Sequence, residues 1–172
     1  MKLDLHTHCF DLYRYHEVSV RIVSQVVAAV KARGLDGIAV TEHDDPDYGY
    51  KVREVVETRF GGEILIIPGQ EMDVWPVQVV ELYLPGRLTF RFLAHPGYPG
   101  DCFSGLDGLH GIELSNALHD HHIDQEAVRE IARQRRLLLL SNSDAHTIND
   151  VGCYSNEITL EELCQWVRQG VG

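Results

Sequence analysis

Seven residues able to bind a divalent cation each close a short apolar run: His6 and His8 in KLDLHTH, His43 after IAVTE, Glu71 after ILIIPGQ, His95 after FRFLA, and Asp144 and His146 after RLLLLSNS. Imidazole nitrogens mixed with carboxylate oxygens suit Zn, Mn or Fe. Alternate residues of a strand project to one side, so His6 and His8 can chelate one ion, and Asp144-Ala145-His146 repeats that geometry with one carboxylate. Charged residues placed directly after buried strands are costly unless something neutralises them, and a bound cation does so. A cation held there would acidify a bound water into a hydrolytic nucleophile, so the chain reads as a metalloenzyme. No Ser or Cys nucleophile is then required, and neither a G-x-S-x-G elbow nor a P-loop occurs.

The elements that must position these residues follow from periodicity. Strands are predicted at 2–6, 36–42, 63–71, 76–84, 89–95, 110–116, 136–144 and 153–159, and helices at 17–33, 47–59, 124–136 and 160–169, bounded by Gly, Pro or Asp. Val20, Val23, Val27 and Val30 recur at helical spacing and define a buried face. Strands that end in ligands build an active site at one end of an α/β barrel, because the carboxyl ends of parallel strands open onto one crevice. Eight regular βα units usually need about 250 residues. A chain of 172 residues therefore predicts a compact, distorted barrel in which loops replace several helices.

The length suits one domain, residues 1–172. A formal net charge of -11 opposes an extended nucleic-acid groove. Met1 leads within a few residues to the first ligand and no apolar stretch approaches a membrane span, so a cytoplasmic protein without a membrane partner is expected. Cys9, Cys102, Cys153 and Cys164 form no C-x-x-C pair and read as small buried hydrophobes, with Cys9 also open to a ligand role because it follows His8. Oligomeric state leaves no mark.

The segments DLHTHCF, GLDGIAVTEHD, IPGQE, LAHPG, GIELSN and SNSDAH, in this order over roughly residues 3–150, resemble the motifs of the polymerase and histidinol phosphatase (PHP) family of metal-dependent phosphoesterases. The resemblance implies a distorted (β/α)7-type barrel with two or three divalent ions at the carboxyl ends of the strands. It implies that His6, His8 and Asp144 hold one ion, that Glu71 bridges to a second held by His95, and that His43 and His146 hold a third. His6, His8, His43, Glu71, Asp144 and His146 are then the catalytic set. The chain departs from the pattern at Tyr13, where the family has an Asp, with Asp11 and His16 as the nearest substitutes. A family His after the bridging Glu is replaced by Gln78 or Glu81 in PVQVVELYL.

Glu113 reads as a group orienting a ligand histidine, and Asp44 likewise. His119, His121 and His122 read as a polar loop, with contact to substrate at the rim as the sharper alternative, while Arg14 is a candidate phosphate contact. A loop at PGYPGD would border His95. The expected partner is a small phosphorylated substrate. Two other readings stand beside phosphoester hydrolysis: a metal-dependent amidohydrolase, opposed by the lack of a Lys at any strand end to serve as a carboxylated bridge, and a non-catalytic metal-binding PHP-like module.

Overall fold

The computed structural model describes residues 1–10, 18–97 and 107–170. Its strands are β1 (Lys2–Asp4), β2 (Gly37–Val40), β3 (Leu65–Val74), β4 (Val77–Leu84), β5 (Leu88–Leu93), β6 (Gly111–Asn116), β7 (Leu138–Asn142) and β8 (Asn156–Glu157). The helices are α1 (Val20–Ala32), α2 (Tyr48–Arg59), α3 (Gln125–Arg135) and α4 (Leu160–Gln169). All eight strands join one sheet in the order β7-β6-β5-β4-β3-β2-β1-β8. Pairing is parallel except at β3/β4, β4/β5 and β1/β8.

The sheet nearly closes into a distorted barrel. Beyond β1 and β7 the chain forms a parallel bridge at Thr7 and Ala145, with His8 N donating to Ala145 O (2.9 Å) and Asp144 N to His6 O (2.9 Å). At the other end β8 lies against β1, and the Asn156 side chain bonds the Ser141 backbone through both its amide atoms (2.8 and 3.0 Å). The antiparallel β3-β4-β5 meander replaces helical crossovers with short turns, which is how so short a chain completes the barrel. Gly69 is needed at the crowded start of this meander, where a Cβ would stand 2.4 Å from Glu81 O.

Alternate strand residues Leu3, Leu5, Ala39, Ile67, Val80, Leu82, Phe90, Phe92 and Leu140 share one buried cluster, which Leu163 and Cys164 of α4 join to close the amino end. Thr159 and Glu162 form a capping box that starts α4, a motif worth about 1 kcal/mol. Outside, α1 and α2 pack valines onto Ile38 and Val40 of β2, and α3 lays Val128 and Ala132 beside Ile112. The buried face of α1 is Val23, Val26, Val27 and Val30; Val20, expected on it, is 45% exposed because it is the first residue of the helix.

The predicted elements all occur; at the ligand-bearing end β1, β2, β5 and β7 stop two residues short of the expected bounds, whereas β3 runs three residues further. There, side chains replace ladder partners: Leu5 N donates to Asn142 Oδ1 (3.1 Å) and Thr7 N to Thr41 Oγ1 (3.1 Å). No described helix is long and apolar enough to cross a membrane.

Candidate metal centre

The bridges that close the barrel also gather its ligands. His6, His8, Glu71, His95 and Asp144 are buried, whereas the side chains of His43 and His146 are 35% and 41% exposed and form the open side. Glu71 lies among four imidazoles. Its Oε1 is 3.4 Å from His6 Nε2 and 3.1 Å from His95 Nε2, and its Oε2 is 3.2 Å from His8 Nε2 and 3.3 Å from His43 Nδ1. Asp144 Oδ1 is 3.7 Å from His6 Nε2, 3.4 Å from His8 Nε2 and 3.6 Å from His146 Nδ1. Its Oδ2 is 3.4 Å from His119 Nε2 and 4.0 Å from His95 Nε2.

Three groups able to hold a cation result: His8, His43 and His146; His6, His8 and Glu71; and His95, His119 and Asp144. Their geometry fits divalent ions. Ligand bonds of about 2.0–2.1 Å in a tetrahedral shell put neighbouring ligand atoms about 3.3 Å apart, which is the range seen around Glu71 and Asp144. The buried atoms His8 Nδ1 and Asp144 Oδ1 make no hydrogen bond, a costly state that a cation between Asp144 and its neighbours relieves for the carboxylate.

Charge inside the centre is mutually stabilised. Burial opposes protonation of His6, but Asp144, Glu71 and Glu113 outweigh it and hold the imidazole well above its ordinary value. Burial, reinforced by the neighbouring His6, instead pushes His8 down to about 4. Burial would raise Glu71 and Asp144, but the surrounding histidines, His6 foremost, keep both carboxyls below their usual range. Asp144 and His95 also adopt left-handed φ values of 53° and 23°. Such conformations cost of order 1–3 kcal/mol and persist where the surroundings over-determine them.

His119 is a correction to the sequence reading. It lies in the turn after β6, which folds it onto His95, their ring centroids 4.5 Å apart, so that His95, His119 and Asp144 form a group able to hold a cation. Gly97 (φ 123°) allows that approach, because a Cβ there would stand 2.5 Å from His122 O. The available signal was position: His119 follows strand GIELSN as the other candidates follow theirs. His122 Nε2 lies 3.2 Å from His95 O, and His121 is exposed.

Other expected contributors sit elsewhere. Gln78 Nε2 donates to Asp73 Oδ1 (2.9 Å), its register partner beyond Glu71 on the same face of the sheet, and Glu81, on the opposite face, is engaged by Arg91 (2.6 and 2.7 Å). Asp44 contributes its backbone N to Glu71 O (3.0 Å) while its side chain is exposed; Asp45 Oδ1 accepts from Asp47 N and Tyr48 N at the start of α2. Cys9 is buried outside the three groups, and burial, then Glu42, raises its thiol far above the ordinary value. Asp11, Tyr13, Arg14, His16 and Cys102, with most of PGYPGD, lie outside the described residues.

The nearly closed α/β barrel is a fold already seen in solved structures. Solved structures agree at low identity. PsfC from Pseudomonas syringae PB-5123 superposes with a TM-score of 0.68 at 20% identity, over 96% of this chain and 87% of its own. A Bifidobacterium adolescentis protein assigned to the metal-dependent phosphoesterases gives 0.64 at 14% identity, over 99% and 96%. An amidohydrolase from Chromobacterium violaceum, with bound sulfate and no metal, gives 0.66 at 15% identity, over 96% and 97%. No curated protein sequence matches the chain. Residues 122–171 match the family model described as PHP-associated.

Proposed function

We propose that the chain is a metal-dependent phosphoesterase that hydrolyses a small phosphate mono- or diester. The observation that carries this reading is Glu71, whose two oxygens lie 3.1–3.4 Å from ring nitrogens of four histidines, so that it can bridge ions held by His6 and His8 on one side and His95 on the other. Asp144 and His119 complete the second position, and His43 and His146 with His8 offer a third. Two or three divalent ions, Zn, Mn or Fe, would supply positive charge for phosphoryl oxygens and acidity for a water. The chain's own part is to fix the ligand atoms on strand ends, to exclude water from the buried side at His6 and His8, and to leave the substrate an approach past the part-exposed His43 and His146.

Amidohydrolase chemistry with a carboxylated Lys bridge is disfavoured by the placement of all three lysines. Lys2 opens β1, and Lys31 and Lys51 lie on α1 and α2, so the bridging position belongs to Glu71. The strongly acidic composition supports a small substrate held by the ions rather than a long nucleic acid. Free thiols at Cys9, Cys153 and Cys164 support a cytoplasmic setting.

The test is elemental analysis of the purified protein beside a panel of aryl and alkyl phosphate esters with added Mn, Zn or Fe. Two or more ions per chain with ester hydrolysis is the expected result. One ion without turnover of any ester would replace this reading by a non-catalytic metal-binding module, and amide hydrolysis alone by the amidohydrolase.

A further inference from the structure

We propose that Glu113 is a positioning residue that ties two ligand groups together and presets which nitrogen of His6 faces the ions. The inference rests on the metal-centre reading above. Glu113 is fully buried, and each of its oxygens accepts two hydrogen bonds. Oε1 accepts from His6 Nδ1 (2.9 Å) and Asn142 Nδ2 (2.8 Å), and Oε2 accepts from His95 N (2.7 Å) and Asn116 Nδ2 (2.9 Å). A carboxylate offers about four lone-pair positions, so none remains for a cation.

Three of the four donors have no alternative role. His95 N is a peptide donor. Asn142 must present its NH2, because its Oδ1 already accepts from Leu5 N (3.1 Å) and Asn156 Nδ2 (2.8 Å). Asn116 must do the same, because its Oδ1 accepts from Leu118 N and His119 N (both 3.1 Å). With an acceptor thus required at both oxygens, the remaining place on Oε1 is filled by a proton on His6 Nδ1. In the singly protonated ring that ligates a cation, the lone pair then falls on His6 Nε2, 3.0 Å from His8 Nε2, 3.4 Å from Glu71 Oε1 and 3.7 Å from Asp144 Oδ1.

The same carboxylate reaches the second group by two routes. Through His95 N it pins a residue held at a φ of 23°, and through Asn116 it reaches Asp144 Oδ2 (3.2 Å) and the backbone of His119. The repeated tripeptide Leu-Ser-Asn, 114–116 on β6 and 140–142 on β7, makes this symmetry possible. Asn116 and Asn142 pair in register and clasp opposite oxygens of Glu113.

The substitution Glu113→Gln tests this with little change of shape. Its amide NH2 would meet two fixed donors, His95 N and Asn116, on one side and a single one, Asn142, on the other, so it turns toward Asn142 and His6. His6 then accepts at Nδ1 and carries its proton on Nε2, where it no longer ligates. Chelator competition with Zn should show one ion weakened about 10- to 100-fold, the range for loss of an outer partner, while the ion at His95, His119 and Asp144 stays bound. A folded E113Q chain that keeps every ion at wild-type affinity overturns the proposal. Should E113Q not fold, imidazole 15N spectra of the Zn-loaded wild type decide: a protected proton on His6 Nδ1 is expected, and a proton on Nε2 overturns the proposal while leaving the metal centre intact. A wild type that binds no ion defeats both readings.

Discussion

At the end of the barrel that α4 covers, Leu3, Leu84 and Phe90 share a buried cluster with Leu163 and Cys164; at the opposite end, equally buried positions hold His6, His8, Glu71, Glu113 and Asp144. One end of the barrel is completed by apolar packing that needs no partner outside the chain. The other contains buried atoms that the chain leaves without hydrogen bonds, His8 Nδ1 and Asp144 Oδ1. The lesson is that stability and chemistry are separated along the barrel axis: the plugged end carries the cost of assembling charge at the open end.

Substitutions at the two ends should therefore fail in different ways. The largest effect is expected for Asp144→Ala, which removes a carboxylate adjoining five imidazoles. Metal content should fall and ester turnover should drop beyond the roughly 100-fold that marks loss of an outer partner, with the fold retained by circular dichroism. Retained metal content would break the contrast between the ends.

Leu163→Ala should behave in the opposite way. A fully buried leucine is truncated at the plug, so urea denaturation should show a loss of about 2–5 kcal/mol, with unchanged metal content in the folded protein.

Asp4 sharpens the comparison, because it is a buried carboxylate satisfied by hydrogen bonds alone, from Ser143 N, Ser143 Oγ and Gly152 N. Burial, only partly offset by these bonds, raises it from 3.8 to about 6. The folded state therefore binds more protons than the unfolded state across that interval, and stability falls as pH rises through it, by up to about 3 kcal/mol. In chelated protein, the urea midpoint of Asp4→Asn should be flatter than the wild type over the same pH range. An equal slope in both would show that Asp4 contributes nothing to it.

The smallest effect is expected for Gln78→Ala at the rim, where the amide donates to Asp73 Oδ1. Stability should change by less than about 0.5 kcal/mol and metal content not at all. A lost ion would restore Gln78 to the centre.

The strand ends at His6, His43, Glu71, His95 and Asp144 were legible in the sequence because each closes an apolar run that can only be buried. Glu113 was legible as a partner of a histidine, by its place in an alternating strand. His119 was not, since HDHH has the composition of a solvated turn and nothing local reports that Gly97 lets the turn after β5 approach it. Gln78 and Glu81 misled for a related reason. A strand's side-chain alternation is local, but which residue stands opposite Glu71 depends on register: Val80 takes that place, Gln78 lies beyond it beside Asp73, and Glu81 falls on the opposite face.

By itself, then, the sequence determined the elements, the face each strand buries and the chemical character of the residues at their ends, all of which follow from hydrophobic period and side-chain type. Only the tertiary structure decided which of those residues meet. Closing the barrel through Thr7 and Ala145 brings His8 against Asp144, 136 positions away along the chain, and the pairing of Asn116 with Asn142 sets the shared carboxylate between two ligand groups. The reason is physical: a contact between distant residues depends on register and strand direction across the whole sheet, and no local period encodes either.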